Sequence, residues 1–249
     1  MKCFALYNLK GGVGKTTSCV NLAYFAARDG YKTLIIDLDP QGAASFYLQN
    51  DSSNGKLSRM ITGDDSSLDS VIQPTAYDNL FLLPGSLDNR NIDILLNELT
   101  KSKTRVKKFV TSVKREFDYI FVDCPPSLSL TSENAFRAAD YILLPTIPTT
   151  LSERTYEQIM TFFAESDYDA RKILPFFTLV DSRRKMHQET MERFRADKRR
   201  LLRSTIPYSS VVEKMGEKRA PIHQFSKRSN ATTAYRSLWQ ELKWFKKLK

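Results

Sequence analysis

The residues Lys10-Gly11-Gly12-Val13-Gly14-Lys15-Thr16-Thr17 place glycines, two lysines and two hydroxyls between the apolar run Cys3-Phe4-Ala5-Leu6-Tyr7 and a helix-like segment beginning near Thr17. Strand, glycine loop and helix N-terminus in that order make a phosphate cradle. Glycines let successive backbone N–H groups converge on an anion without Cβ clashes, and the helix dipole adds partial positive charge. Lys15 can then neutralise charge on the β- and γ-phosphates, while the Thr16 hydroxyl can ligate Mg²⁺. The chemistry this implies is binding of a nucleoside triphosphate. The usual pattern, G-x-x-x-x-G-K-[ST], would begin with a glycine at position 9, where Leu9 stands instead, and a second lysine follows it at Lys10.

Two acidic motifs come later in the chain. In Asp37-Leu38-Asp39-Pro40-Gln41-Gly42, alternation puts Asp37 and Asp39 on the same side of an extended segment. One of them can support a metal shell while the other orients or deprotonates water. In Asp123-Cys124-Pro125-Pro126, the carboxylate ends the apolar run Tyr119-Ile120-Phe121-Val122, the position from which Mg²⁺ is usually held through water. The prolines after it stiffen a loop that could sense a γ-phosphate. Asp37 taken alone would read as a cap or turn residue; the order of the three acids after the glycine loop is what points to a metal-dependent phosphate site.

Short apolar runs must position these residues. Beside Cys3–Tyr7, runs rich in β-branched or aromatic residues occur at Thr33–Asp37, Leu80–Leu83, Tyr119–Val122, Tyr141–Leu144 and Ile173–Val180. Helix-like stretches separate most of them, including the alanine-rich Asn21–Asp29. The pattern predicts an α/β fold, a doubly wound and mostly parallel sheet with helices on both faces, in which strand ends carry the chemistry. Asn50–Asp69, rich in Ser, Asp, Asn and Gly, reads as an exposed excursion. A long charged helix is expected from Lys185 to Arg203, a strand-like turn at Ile206-Pro207-Tyr208, a basic loop over Met215–Asn230 and a helix from Ala231 onward. No repeat interrupts this order, and residues 1–249 are expected to form one domain.

The chain has 249 residues, 41% of them hydrophobic and 27% charged, the balance of a globular protein with a sizeable core. No run reaches the roughly 18 apolar residues of a membrane span, and the first residues enter a strand without a leader's basic and apolar regions, so a cytoplasmic protein is expected. Cys3, Cys19 and Cys124 lie in or beside apolar segments without C-x-x-C spacing, which fits buried reduced thiols rather than a metal or redox pair. Charge is uneven. Residues 1–170 hold 17 Lys+Arg against 21 Asp+Glu, whereas residues 171–249 hold 21 against 7, a net of +14 within a total of +10. The C-terminal third is therefore a candidate polyanion-binding surface.

The glycine loop resembles the deviant Walker A motif of the ParA/MinD family of ATPases, K-G-G-x-G-K-[ST], at every fixed position. The resemblance extends along most of the chain: Thr16-Thr17-x-x-x-Asn21-Leu22-Ala23, the switch motifs D-x-D-P-Q-G and D-x-P-P-S at Asp37–Gly42 and Asp123–Ser127, Asn134-Ala135 with Ala138-Ala139-Asp140, and the final Ala234-Tyr235-Arg236-Ser237-Leu238-Trp239-Gln240-Glu241-Leu242. It is closer to ParA than to MinD. It implies ATP and Mg²⁺ as cofactors, slow hydrolysis stimulated by a ParB-like or cargo-adaptor protein, and an ATP-dependent sandwich homodimer. Carried over, Lys10 reaches the phosphates of the other subunit, Lys15 holds those of its own, Thr16 ligates Mg²⁺ and Thr17 supports the α-phosphate. Gly11, Gly12, Val13 and Gly14 complete the loop, Asp39 positions the attacking water, Asp123 binds the metal's water shell, and Pro207 and Tyr208 border adenine. The chain departs from the family at Ala43, where Asn is frequent, and over Val211–Phe225. No helix-turn-helix precedes the loop, so sequence-specific operator binding is not expected.

Two uses of the basic third follow. In the first, Arg183, Arg184, Lys185, Lys214, Lys218, Arg219, Lys227 and Arg228 contact the phosphates of non-specific DNA, giving a nucleoid-associated switch that positions a plasmid, chromosome or protein cargo. The bland counterpart is a solvated face with helix pairs such as Glu189 and Arg193. In the alternative, a MinD-like positioning ATPase, Leu238, Trp239, Leu242, Phe245 and Leu248 form an apolar face flanked by Lys243, Lys246, Lys247 and Lys249, which could lie in an anionic membrane. A metabolic enzyme that uses ATP to activate a small molecule is compatible with the fold, but no separate substrate motif is present. His187 and His223, in polar basic segments, read as surface residues rather than catalytic bases.

Overall fold

Side-chain alternation divides every central strand between two cores. The computed structural model describes residues 1–49, 56–62, 71–85, 91–197 and 200–245. Its strands are β1 (Lys2–Leu6), β2 (Thr33–Asp37), β3 (Gln73–Pro74), β4 (Leu80–Leu83), β5 (Tyr119–Asp123), β6 (Tyr141–Thr146) and β7 (Ile173–Phe177). They form one sheet in the order β3-β4-β2-β5-β1-β6-β7, parallel throughout except for β3, which runs antiparallel to β4 at the edge. Phe4 and Leu6 point to a core that includes Leu22, Phe25 and Trp239, whereas Cys3, Ala5 and Tyr7 point to one that includes Phe109, Phe136 and Phe163. Helices thus cover both faces, and the doubly wound parallel sheet expected from the sequence is the fold observed.

The helices are α1 (Lys15–Arg28), α2 (Ala43–Tyr47), α3 (Lys56–Thr62), α4 (Ile92–Glu98), α5 (Arg105–Ser112), α6 (Leu130–Ala138), α7 (Thr150–Glu165), α8 (Lys185–Ala196), α9 (Ser210–Glu213), α10 (Met215–Lys218), α11 (Ile222–Phe225) and α12 (Asn230–Phe245). β1 is flanked by β5 and β6, so the loop leaving Leu6 emerges at the centre of the sheet. Register aligns Leu6 with Asp123, and Asp123 in turn with Asp37. The glycine loop and two acidic strand ends therefore meet at one edge because of strand order alone.

Several expectations are corrected. β7 ends at Phe177 rather than Val180, since Leu179 adopts a left-handed φ of 53° and breaks the strand. The helix expected over Lys185–Arg203 stops at Ala196; residues 198–199 lie outside the described residues, and Leu202 then donates its N–H to the Pro175 carbonyl along the sheet edge (2.8 Å). Met215–Asn230 is not a loop but holds α10 and α11, with Met215 and Ile222 fully buried. Of the Asn50–Asp69 excursion, the described part is α3, which buries Leu57, Met60 and Ile61; the remainder lies outside the described residues. The strand β3 has no counterpart in the sequence reading. The three cysteines are buried free thiols, and burial raises the pKa of each.

Candidate functional site

The loop between β1 and α1 is held open by its backbone. Gly12 and Gly14 have φ of 72° and 87°, in the left-handed region that a side chain would strain, and Gly14 stands as the N-cap of α1. Asn8 fixes the start of the turn: its Oδ1 accepts from the Lys10 N–H (2.9 Å) and its Nδ2 donates to the Pro145 carbonyl (2.9 Å). At the other side, the Thr178 hydroxyl donates to the Val13 carbonyl (2.9 Å). The Tyr235 hydroxyl of α12 donates to Thr17 Oγ1 (3.4 Å) and lies 3.3 Å from the Ser18 hydroxyl, so the C-terminal helix supports the first turn of α1.

Lys15 is buried, with its Nζ donating to the Lys10 carbonyl (3.1 Å). Burial lowers its pKa, against the opposing pull of Asp123, Cys124 and Asp39. Asp37 is fully buried and accepts from the Ser45 N–H (3.0 Å), the Ser45 hydroxyl (2.7 Å) and the Asp39 N–H (3.3 Å). Burial, only partly offset by the Ser45 bonds, pushes its pKa up to about 6. The two acids of this motif are thus separated in role: Asp37 is bonded inward to α2, whereas Asp39, half-buried, lines a cavity and accepts from the Gln41 N–H (2.9 Å).

Asp123 is the unusual group. Both of its carboxylate oxygens are buried without a hydrogen-bond partner, a state that costs several kcal/mol for an ionised group unless a cation joins it. Its pKa is raised well above the ordinary carboxylate value, first by burial and then by the charge of Asp37. The Thr16 hydroxyl favours the ionised form without forming a well-directed hydrogen bond. An orphaned hard oxygen pair beside a hydroxyl and a second carboxylate suits a divalent cation such as Mg²⁺. Thr16, Asp39 and Asp123 are the residues that could hold one.

A cavity of about 500 Å³ is lined by Lys15, Thr16 and Asp39 of these groups, while Asp123 and, in the loop, Val13 do not line it. It is also lined by Gly11, Gly12, Gly14 and Thr17 of the loop, by Leu179, Tyr208, Ser209, Val212 and Glu213, and by Gln41, Ala43, Tyr47 and Pro126. Tyr208 donates its hydroxyl to Glu213 Oε1 (3.1 Å). Of the residues expected to border a base, Tyr208 lines the cavity and Pro207 does not; Pro207 instead bridges to Val180. Lys10, half-buried, does not line it either. Tyr47, Leu179, Val212 and Glu213 carried no motif in the sequence, and only the departure from the family pattern at Ala43 and Val211–Phe225 marked their neighbourhood.

The basic residues are less uniform than their sequence suggests. Arg183 donates twice to Asp181 (3.0 Å each), Arg184 lies 3.7 Å from the same carboxylate, and Lys185 and Lys218 pair with Glu189 (3.5 Å) and Glu217 (2.7 Å). Lys214, Lys227 and Arg228 are exposed and form no ion pair with a described residue. Arg219 lies against Phe46. The expected Glu189–Arg193 pair is corrected: Arg193 reaches across to Glu153 on α7 (3.0 Å). His187 is buried, not superficial, and its Nδ1 accepts from the Asp181 N–H (3.1 Å); His223 is half-buried beside the Tyr24 hydroxyl (3.4 Å). Leu238, Trp239 and Leu242 are buried, with the Trp239 indole donating to Asp29 (2.9 Å) and Lys243 donating to the same carboxylate (2.7 Å). They pack against the sheet and so are not free to enter a membrane, whereas Trp244 is exposed; the side chain of Phe245 and residues 246–249 lie outside the described residues. Among the described residues, no helix is long and apolar enough to cross a membrane.

Residues 1–175 match the family model described as "AAA domain" (AAA_31). The chain is 29% identical over 260 residues to the chromosome-partitioning ATPase Soj of Treponema pallidum, covering 97% of this chain and 96% of that protein. It is 37% identical over 145 residues to the sporulation initiation inhibitor protein Soj of Bacillus subtilis, covering 58% of this chain and 57% of that one. Its fold is shared with a plasmid partition protein from Borrelia burgdorferi B31 solved bound to AMPPNP, at a TM-score of 0.82 and 23% identity, over 97% and 98% of the two chains. The matched region contains the glycine loop, both acidic motifs and strands β1 to β6, and the chain belongs to the AAA domain family AAA_31, as its resemblance to the ParA/MinD ATPases implies.

Proposed function

We propose that residues 1–249 act as one Mg²⁺-dependent ATPase domain of the ParA kind, which dimerises with ATP, binds non-specific DNA in that state and releases it after slow, partner-stimulated hydrolysis. The observation that carries this reading is the cavity lined by the glycine loop, Asp39 and Tyr208, together with the buried, unpartnered carboxylate of Asp123, which feels the charges of Asp39 and Lys15. Lys15 and the loop N–H groups bind the phosphates, and Thr17 supports the α-phosphate. Thr16, Asp39 and Asp123 hold Mg²⁺, which when bound neutralises charge on the phosphoryl oxygens. Asp39 orients water toward the γ-phosphorus. Lys10 stands outside its own subunit's cavity, which suits a lysine that acts across a face-to-face dimer and makes hydrolysis depend on assembly.

The DNA surface in this reading is the basic C-terminal third, with Lys214, Lys227 and Arg228 as its uncommitted charges. Cycles of binding and release on the nucleoid, in the cytoplasm, would position a plasmid, a chromosome or a protein assembly through a ParB-like or cargo-adaptor partner. The test is binding to non-specific duplex DNA and to anionic liposomes, each without nucleotide, with ADP and with ATP·Mg²⁺. DNA binding that requires ATP supports the switch. ATP-dependent liposome binding without DNA binding would replace it with a MinD-like membrane ATPase, against which the burial of Leu238, Trp239 and Leu242 already weighs.

A further inference from the structure

Two segments of the chain that line the cavity meet again at residues that do not line it. One arm runs from Asp39 through Gln41 and Ala43 into α2, which presents Tyr47 to the cavity. The other runs from Tyr208 and Ser209 through α9, which contributes Val212 and Glu213, into α10. α10 packs on the first arm, with a Cβ at Gly216 falling 4.0 Å from the Tyr47 ring. The ends of the arms are joined at Arg219. Its Nε donates to the Phe46 carbonyl (3.1 Å), its guanidinium lies 4.5 Å from the centre of the Phe46 ring, and its own carbonyl accepts from Gln49 Nε2 (2.9 Å). Arg219 also holds φ at 44° and ψ at 52°, a left-handed conformation that a residue with a Cβ adopts only where its surroundings impose it.

We propose that Arg219 is a positioning residue that clasps the two arms of the nucleotide cavity through Phe46, rather than a contact for nucleic-acid phosphate. The inference rests on the reading of that cavity as the nucleotide site. A planar guanidinium can cover a ring while aiming Nε at the adjoining carbonyl, and an ammonium cannot do both; a phosphate contact, by contrast, tolerates lysine. The clasp closes a ring of chain around the opening, so its loss lets the Tyr47 wall and the Val212 wall move apart and raises the cost of ordering them around a ligand.

Four variants decide it: R219A, R219K, F46L and F46Y, each checked for an unchanged melting profile. The readouts are affinity for a fluorescent ATP analogue, kcat and KM for ATP hydrolysis, and affinity for non-specific duplex DNA. R219A, R219K and F46L should weaken nucleotide affinity and raise KM by roughly three- to tenfold, with kcat changed far less, and F46Y, which keeps the ring, should restore both. Unchanged nucleotide affinity in R219A and R219K overturns the clasp. So does a loss in R219A that R219K repairs, because that is the behaviour of a bare charge. Should R219A not fold, R219K and F46L carry the decision. Failure of the unmutated protein to bind the analogue overturns the nucleotide reading itself and the clasp with it, whereas normal binding there beside unaltered variants overturns the clasp alone.

Discussion

Asp39 and Lys15 line the same cavity yet should fail in opposite ways when removed. Lys15 is a buried cation whose charge has no other outlet than an anionic ligand and the neighbouring carboxylates. Lys15→Gln should therefore weaken ATP binding roughly 10- to 100-fold, the worth of one charge-assisted hydrogen bond in a partly dry site, and abolish ATP-dependent DNA binding with it. In the proposed mechanism Asp39 orients water rather than holding phosphate, so Asp39→Ala should keep ATP affinity, lower hydrolysis by about 100-fold and trap the DNA-bound dimer. Hydrolysis by Asp39→Ala at the unmutated rate would remove it as the water-positioning group. His187 offers a test away from the cavity. Burial, and then the nearby Arg184 charge, lower its pKa below 6.5, so the folded state favours the neutral ring. The stability this contributes is present above pH 6.5 and is lost as pH falls through the lower folded pKa. His187→Asn keeps an acceptor for the Asp181 N–H but does not titrate. Between about pH 7.5 and 5.5 its melting temperature should fall less than that of the unmutated protein, and parallel curves would show that His187 does not titrate on unfolding.

At the scale of elements, the helix that follows the Asp123 loop is capped from elsewhere. Ser129, the N-cap of α6, makes no side-chain cap; instead Asp93 Oδ1 on α4 accepts both the N–H and the hydroxyl of Thr131 (2.8 Å each). Asn134 adds a second tie, accepting from the Val106 N–H of α5 (3.2 Å) and donating to the Ser102 carbonyl (2.7 Å). Asp93→Ala should cost about 1–2 kcal/mol in urea denaturation, the usual range for a lost cap, while Asp93→Asn retains much of it; equal, negligible losses would mean the helix start is held by packing alone. Such contacts mark the boundary of what could be read from the residues. The central strands were legible because short β-branched runs bounded by turns have few other solutions, and the glycine loop was legible because its chemistry is local. Asp93 and Thr131 stand 38 residues apart, and neither type at either position signals the other. The same holds for the left-handed Leu179 that ends β7, for His187 on α8, buried against the Asp181 N–H, and for α10 and α11, whose few apolar residues stand in a polar, basic stretch of sequence yet reach the core. Each is decided by a partner that the chain supplies from elsewhere.

For the molecule as a whole, the proposed function requires a chain whose first 170 residues are net negative to hold a polyanion. The +14 of residues 171–249 is partly spent internally: Arg183, Arg184, Lys185, Arg193, Lys218 and Lys243 all face carboxylates, and Arg219 is committed to Phe46. Of the eight basic residues expected to contact DNA, Lys214, Lys227 and Arg228 remain exposed without an ion pair to a described residue, as do Arg195, Arg203 and Arg236 outside that set, so the eight supply about three cations per subunit that can displace condensed counterions. Binding through them should follow log K against log salt with a slope of about −2.7 for one subunit and about −5.4 for a dimer that presents both patches. The slope should be measured with Asp39→Ala in ATP·Mg²⁺ and with the unmutated protein in ADP, the first holding the dimer and the second releasing it. A doubling of slope ties DNA retention to assembly of two patches. Equal slopes in the two states would mean that ATP does not build the surface, and that the charge of the C-terminal third serves something other than a nucleotide-controlled grip on DNA.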